Sequence, residues 1–192
     1  MQKVGVLALQ GDVSEHVSVL KKAAQESGIE IDVVEVRTCR ELSSLDALII
    51  PGGESTTLSL LMEREGMFEE VKKIRKIFGT CAGAIMLAKK VRGAEEGQKF
   101  LGLVDIEVSR NAYGPQTESF EAEIESGIGR LKAVFIRAPV IERVWGDAKV
   151  LAEFAGKPVA VEERVEGKSF LAITFHPEIN GETKFHEHFL RM

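Results

Sequence analysis

Apolar and polar positions along the first half of the chain alternate between two textures. The near-continuous apolar run Val4-Gly5-Val6-Leu7-Ala8-Leu9 has the pattern of a parallel strand covered on both faces, and Ile31 to Val36, Leu45 to Ile50 and the apolar approach Ile74, Ile77, Phe78 read as further strands. Between them apolar residues recur at helical spacing, first at Val13, Val17, Leu20 and Ala24 with a stop at Gly28, then at Leu58, Leu61, Met62 and Met67 after a glycine-rich turn. Strand and helix in alternation predict a mostly parallel sheet with right-handed crossovers. From Gly102 the texture changes. Leu103 to Val108, Phe120 to Ile124, Leu131 to Ile136, Val150 to Phe154 and Val159 to Glu163 are short alternating pieces, as in β-hairpins and meanders. Phe170 to Phe175 predicts a last buried strand, and Thr183 to Met192 a closing helix. No repeat or linker interrupts the pattern, so residues 1–192 are expected to form one α/β domain, a three-layer sandwich with additional β-hairpins in its second half.

Sites in open parallel sheets lie at the carboxyl ends of strands. Gln10-Gly11, Pro51 to Ser55 and Gly79 to Gly83 fall there. The third loop has the layout of a nucleophile elbow: a strand-like approach meets Gly79-Thr80-Cys81-Ala82-Gly83, and a helical run from Ala84 to Lys90 follows. A thiol at a helix N-terminus meets unpaired N–H groups and the positive end of the helix dipole, both of which favour thiolate. Such a nucleophile needs a base, and the base needs a third group to hold its tautomer. His176-Pro177-Glu178 supplies both after a buried strand, because residues two apart in extended chain point to the same side.

Composition narrows the partners. The 192 residues are 44% apolar and 29% charged with a formal net charge of -5, which indicates neither a broad nucleic-acid footprint nor a basic membrane-binding face. No apolar stretch approaches the roughly 18 residues of a membrane helix, and the start of the chain lacks a signal-peptide layout, so the cytoplasm is the expected location. Cys39 and Cys81 read as two reduced thiols, Cys39 with a packing role. The histidines lack zinc-ligand spacing with them, and no metal or cofactor is expected. Pro51-Gly52-Gly53 lacks the Gly-Lys-Ser/Thr ending of a phosphate loop. Glu118, Glu121, Glu123 and Glu125 read as the wet face of a strand pair, and His186 and His188, on a charged terminal stretch, as solvated.

Taken together, Gly79 to Gly83 and His176-Pro177-Glu178 resemble the Cys–His–Glu triad of class I glutamine amidotransferases. Gly5 to Asp12, Pro51-Gly52-Gly53-Glu54-Ser55-Thr56-Thr57, Arg110-Asn111-Ala112-Tyr113-Gly114 and Ile136-Arg137-Ala138-Pro139 are similar to the glutaminase subunits of pyridoxal 5'-phosphate synthase within that class. The resemblance covers essentially the whole chain and implies a flavodoxin-like amidotransferase fold. It implies hydrolysis of L-glutamine to glutamate and ammonia, with Cys81 as nucleophile, His176 as base and Glu178 as its orienter. It further implies an oxyanion hole at Gly53 and Ala82, substrate contacts at Gly52, Gly53, Glu54, Arg110, Ile136 and Arg137, and Gln10 near the route by which ammonia leaves. The partner would be the barrel-shaped synthase subunit, in a large hetero-oligomer that activates the glutaminase. Pro115 departs from the basic residue usual there. Two alternatives stay open: the glutaminase half of another amidotransferase such as imidazole glycerol phosphate synthase, and a non-catalytic binding or redox-sensing protein with Cys81 as sensor thiol.

Overall fold

Strands and helices alternate through the first half of the chain as the apolar pattern predicts. The structure is a computed structural model that describes residues 1–110 and 119–192. In chain order its elements are β1 (Gln2–Leu7), α1 (Val13–Ser27), β2 (Ile31–Val36), α2 (Cys39–Leu42), β3 (Ala47–Ile50), α3 (Ser55–Arg64), α4 (Phe68–Lys73), β4 (Lys76–Thr80) and α5 (Ala82–Leu87). There follow β5 (Ala88–Arg92), β6 (Val104–Ser109), β7 (Ser119–Ile124), β8 (Leu131–Ile136), β9 (Val140–Val144), β10 (Ala148–Phe154), β11 (Lys157–Val165), β12 (Lys168–Ile173) and α6 (Lys184–Arg191).

Among the described residues the central sheet has seven strands in the order β10-β11-β12-β4-β3-β1-β2. Strands β2, β1, β3, β4 and β12 are parallel, and β12, β11 and β10 continue the sheet as an antiparallel meander. Side chains alternate between two cores. Ala47, Ile49, Phe78, Leu171 and Ile173 face a cluster with Leu20 and Ala23 of α1, Phe185 and Phe189 of α6, and Phe135 of β8. Leu48, Ile50, Ile77, Phe170 and Ala172 face the other cluster, with Leu58 and Met62 of α3, Ile85 to Leu87 of α5, and Val104, Ile106 and Ile141. Apolar runs without polar interruption are the sequence form of this two-sided burial. The second half adds a β7-β8 hairpin to one layer and a β5-β6-β9 sheet to the other. No helix among the described residues is long and apolar enough to cross a membrane.

Several local expectations need correction. The helix after the cysteine ends at Leu87, and Ala88 to Lys90 turn into β5, which pairs in parallel with β6. Met67 lies beyond α3, as the residue preceding α4. Val140 to Val144, not singled out in the sequence, pairs antiparallel to β6 as β9. His186 is not solvated: it is fully buried, because Phe185, His186, Phe189 and Leu190 form the inward face of α6. His188 is half-buried and bonded to Glu162. Glu121 and Glu123 do lie on the exposed face of β7, while Glu118, the Asn111 to Gly114 part of the family-like segment, and Pro115 lie outside the described residues.

Candidate active site

The loops after β1, β3, β4 and β12 converge at the carboxyl edge of the sheet. Cys81 sits between β4 and α5 with φ 49 and ψ -105, a left-handed conformation rare for a non-glycine residue. Its N–H is bonded to Ile173 O of β12 at 2.9 Å, which anchors the elbow in the sheet. The flanking glycines are required by contact. A Cβ on Gly79 would lie 2.5 Å from the Gly83 carbonyl, and one on Gly83 would lie 2.0 Å from Ile50 O of β3. The tight spacing seats the first turn of α5 directly on the sheet. As the first residue of that helix, Ala82 carries an N–H with no acceptor inside the helix.

His176 and Glu178 follow β12, and His176 Nδ1 is 2.6 Å from Glu178 Oε1, with both side chains almost wholly buried. Asp12, after β1, brings a second carboxylate to 3.4 Å from the same nitrogen. Burial opposes a charge on His176, but hydrogen bonds with Asp12, the Cys81 side chain and Glu178 outweigh it, and its pKa is pushed up to about 12. Desolvation raises the Glu178 carboxyl, and the bond to His176 lowers that of Asp12. The ligand atoms of Asp12, His176 and Glu178 lie within 4.8 Å of one another. A short His–Glu hydrogen bond occupies the atoms a cation would need, so this group suits the orientation of an imidazole better than metal binding.

Opposite the thiol, the β3–α3 loop is clamped by Gln10. Its Nε2 donates to Gly52 O at 3.2 Å and its Oε1 accepts from Glu54 N at 3.0 Å. Because the peptide between them is trans, the Gly53 N–H points away from Gln10. Gly53 has φ +125, and a Cβ on Gly52 would lie 2.4 Å from His176 Cε1, so neither position has room for a side chain. Glu54 caps α3, accepting from Thr56 N at 2.9 Å and Thr57 N at 2.7 Å. Burial alone would raise its carboxyl, yet these N–H groups and the threonine hydroxyls hold it at about 2. Arg110 donates to Glu54 Oε1 at 3.2 Å, Thr56 Oγ1 at 3.1 Å and Gln98 Oε1 at 2.8 Å. Ile136 O lies 3.9 Å from Cys81 Sγ, and Arg137 beside it is also left-handed, at φ 44. A cavity of about 480 Å³ is lined by Asp12, Glu54, Cys81, Arg110, Arg137 and His176, with Gly53 and Ile136 also at its wall.

Residues 6–192 match the SNO glutamine amidotransferase family. The chain belongs to that family. Among curated relatives, pyridoxal 5'-phosphate synthase subunit PdxT of Thermococcus onnurineus is 44% identical over 100% of this chain and 98% of that protein. The protein of the same name from Pyrobaculum aerophilum is 48% identical over 92% of this chain and 91% of its own. A solved structure described as a glutamine amidotransferase superposes with TM-score 0.83 and 46% identity, covering 98% of this chain and 97% of that one. The fold and family expected from the motifs are therefore borne out.

In this amidotransferase the structure brings Cys81 and His176 together with Gly53, Glu54, Arg110, Ile136 and Arg137 around one cavity, with Glu178 behind His176 and Gly52 packed against the imidazole rather than in the lining. Gln10 stands behind the loop rather than in the cavity lining. Sequence reasoning missed Asp12 and a buried set behind Glu178, made of His16, Thr80 and His186. Helical spacing supplied a signal for two of these. His16 falls between Val13 and Leu20 on the inward face of α1, and His186 lies between Phe185 and Phe189.

Proposed function

We propose that the chain hydrolyses L-glutamine to L-glutamate and ammonia, and that it delivers the ammonia to a synthase subunit making pyridoxal 5'-phosphate. The observation that carries this reading is the left-handed Cys81, held at the cavity wall beside a histidine whose Nδ1 is 2.6 Å from a buried glutamate. With Nδ1 bound to Glu178, His176 presents Nε2 to the reacting groups. Cys81 Sγ attacks the side-chain amide carbon, and the proton held by His176 goes to the departing ammonia, leaving a thioester. A water then gives its proton to His176 and attacks the thioester, releasing glutamate and restoring the thiol. The N–H groups of Gly53 and Ala82 are assigned to the oxyanion; one is directed away from the Gln10 clamp and the other is unpaired at a helix start. Loss of one such donor costs about 2.7–4 kcal/mol in comparable sites.

Glu54, ionised throughout the physiological range, is assigned to the substrate ammonium, and Arg110 and Arg137 to its carboxylate. Ile136 shapes the wall, and Gly52 leaves room for the His176 imidazole beside it. Gln10, lying outside the cavity and bonded to the oxyanion loop, is assigned to the side from which ammonia leaves toward the barrel-shaped partner. The relatives' name as a synthase subunit supports that partner, and the proposal extends to a large hetero-oligomer, a cytoplasmic location and residues 1–192 working as one glutaminase domain. The test is glutamate release by the complex with synthase. Cys81→Ala and His176→Asn are each expected to abolish it. A His176→Asn protein that still released glutamate at the native rate would support a sensor thiol instead.

A further inference from the structure

Behind the triad a second line of polar side chains runs into the core between the sheet, α1 and α6. Glu178 uses Oε1 for His176, whereas Oε2, fully buried, meets no hydrogen-bond partner of good geometry among the described residues. The group facing it is His16 Nε2, at 3.5 Å, on a side chain that is also fully buried. That nitrogen is 3.0 Å from Thr80 Oγ1, and His16 Nδ1 is 3.0 Å from His186 Nε2. The glutaminase chemistry leaves all three of these residues unused.

Proton counting selects one arrangement. Burial disfavours charge on both imidazoles, first of all by desolvation, so His16 and His186 each carry one N–H. If His16 bears it on Nδ1, a lone pair faces the Glu178 carboxylate, and His186 must leave an N–H at Nδ1 without a hydrogen bond of good geometry; the nearby Glu182 carbonyl favours a proton on this ring without reaching that geometry. If His16 bears it on Nε2, a donor faces both Thr80 and the carboxylate, His186 donates Nε2–H to His16 Nδ1, and the bare nitrogen on His186 is an acceptor. The buried carboxylate decides for the second arrangement, because the first would set a lone pair 3.5 Å from Glu178 Oε2 with no proton between them.

We propose that His16 is a positioning residue for glutamine hydrolysis: as the Nε2–H tautomer, propped by His186, it steers a hydrogen toward Glu178 Oε2 and fixes the carboxylate that aims His176. The proposal rests on the triad reading above. Glu178 is faced by His176 beside it, by His16 from α1 and by Asp12 from the β1–α1 loop; His16 is faced by His186 from α6, by Thr80 from β4, and by Glu178 and His176. Removing the His16 donor leaves one carboxylate oxygen buried with no proton toward it. Its ionised form is then less favoured, its hold on His176 weakens, and His176 releases its proton at lower pH.

The experiment compares wild type, His16→Leu and His16→Gln in the complex with synthase, reading kcat and KM for glutamine across pH and the ring nitrogens of 15N-labelled histidines by NMR. Expected for His16→Leu are a kcat lower by about 10-fold or more, the lower end of what loss of a partner orienting a metal-bound imidazole costs, an unchanged KM, and a His176 titration displaced to lower pH. The His16→Gln protein, whose side-chain amide retains an N–H donor, is expected to keep much of both. A folded His16→Leu protein with native kcat and a native His176 titration overturns the proposal. So does equal loss of kcat in both variants with His176 titrating as in wild type, because that outcome is packing alone. Should the leucine variant fail to fold, the wild-type spectrum decides: a proton on His16 Nδ1 overturns the proposal and one on Nε2 upholds it. Glutamate release surviving in His176→Asn would instead sink the triad reading, and the NMR titration would still report whether His16 and His176 are coupled.

Discussion

Individual side chains at this site are fixed by contact more than by flexibility. Gly52 illustrates it: a methyl group there would lie 2.4 Å from His176 Cε1 and 3.4 Å from Cys81 Cβ. Gly52→Ala must therefore push the imidazole away from its aim while touching little of the core. A displacement near 1 Å at a reacting group is worth on the order of 100-fold in rate. Glutamate release is expected to fall by about that factor, with the thermal midpoint of unfolding close to native. The same residue scale separates Glu54 from Arg110. Their mutual bond at 3.2 Å shows that the two charges are already paired with each other, so the substrate contacts proposed for them would be made to a preformed pair.

At the level of elements, the elbow is a packing solution. Helix α5 is only six residues long and buried along its length, and it approaches β3 so closely that Gly83 touches the Ile50 carbonyl. Gly83→Ala would need the helix to lift off the sheet. A loss of about 1–3 kcal/mol is expected, read as a lower urea midpoint with an unchanged slope, and accompanied by lower activity because Cys81 rides on that helix. How much of this was legible in the sequence follows from the physics of each element. Strands buried on both faces leave nearly unbroken apolar runs, by which β1, β3, β4 and β12 could be read, and the edge strand β2 could be read from Ile31, Val33, Val34 and Val36 despite its exposed Asp32 and Glu35. Cys81, His176 and Glu178 were legible because a sharp turn needs glycines and a tautomer needs a near neighbour. The short β5 and β9 were not, since Ala88 to Arg92 has helix-forming residues and becomes a strand only through pairing with β6. Nor was His16: its role depends on α1, β4 and α6 meeting in space, and no local spacing reports such a meeting.

For the molecule as a whole, the buried histidines set the response to acid. His186, fully buried, has its pKa lowered to about 3, chiefly by desolvation, and His16 is shifted in the same direction. The unfolded chain takes up these protons near pH 6.5 and the folded protein does not, so their contribution is present above that pH and is lost as the pH falls toward 3. At pH 5 the His186 share is roughly 2 kcal/mol. His176 works in the opposite sense: raised to about 12, it stabilises the fold fully below pH 6.5 and progressively less as the pH climbs toward 12. Urea midpoints measured across pH are therefore expected to peak near neutrality and to fall steeply in acid, and His186→Leu is expected to flatten the acid side.

Glu54 has a consequence for how such pH series are read. Its carboxyl is held at about 2 by the first N–H groups of α3 and by threonine hydroxyls, so its charge stays constant from mild acid upward. The assigned ammonium anchor is electrically silent during a pH scan. With His176, raised to about 12, also holding its proton across mild acid and neutrality, an inflection of kcat/KM in that range is expected to come from the Glu178 carboxyl, which burial raises, and not from the Glu54 charge.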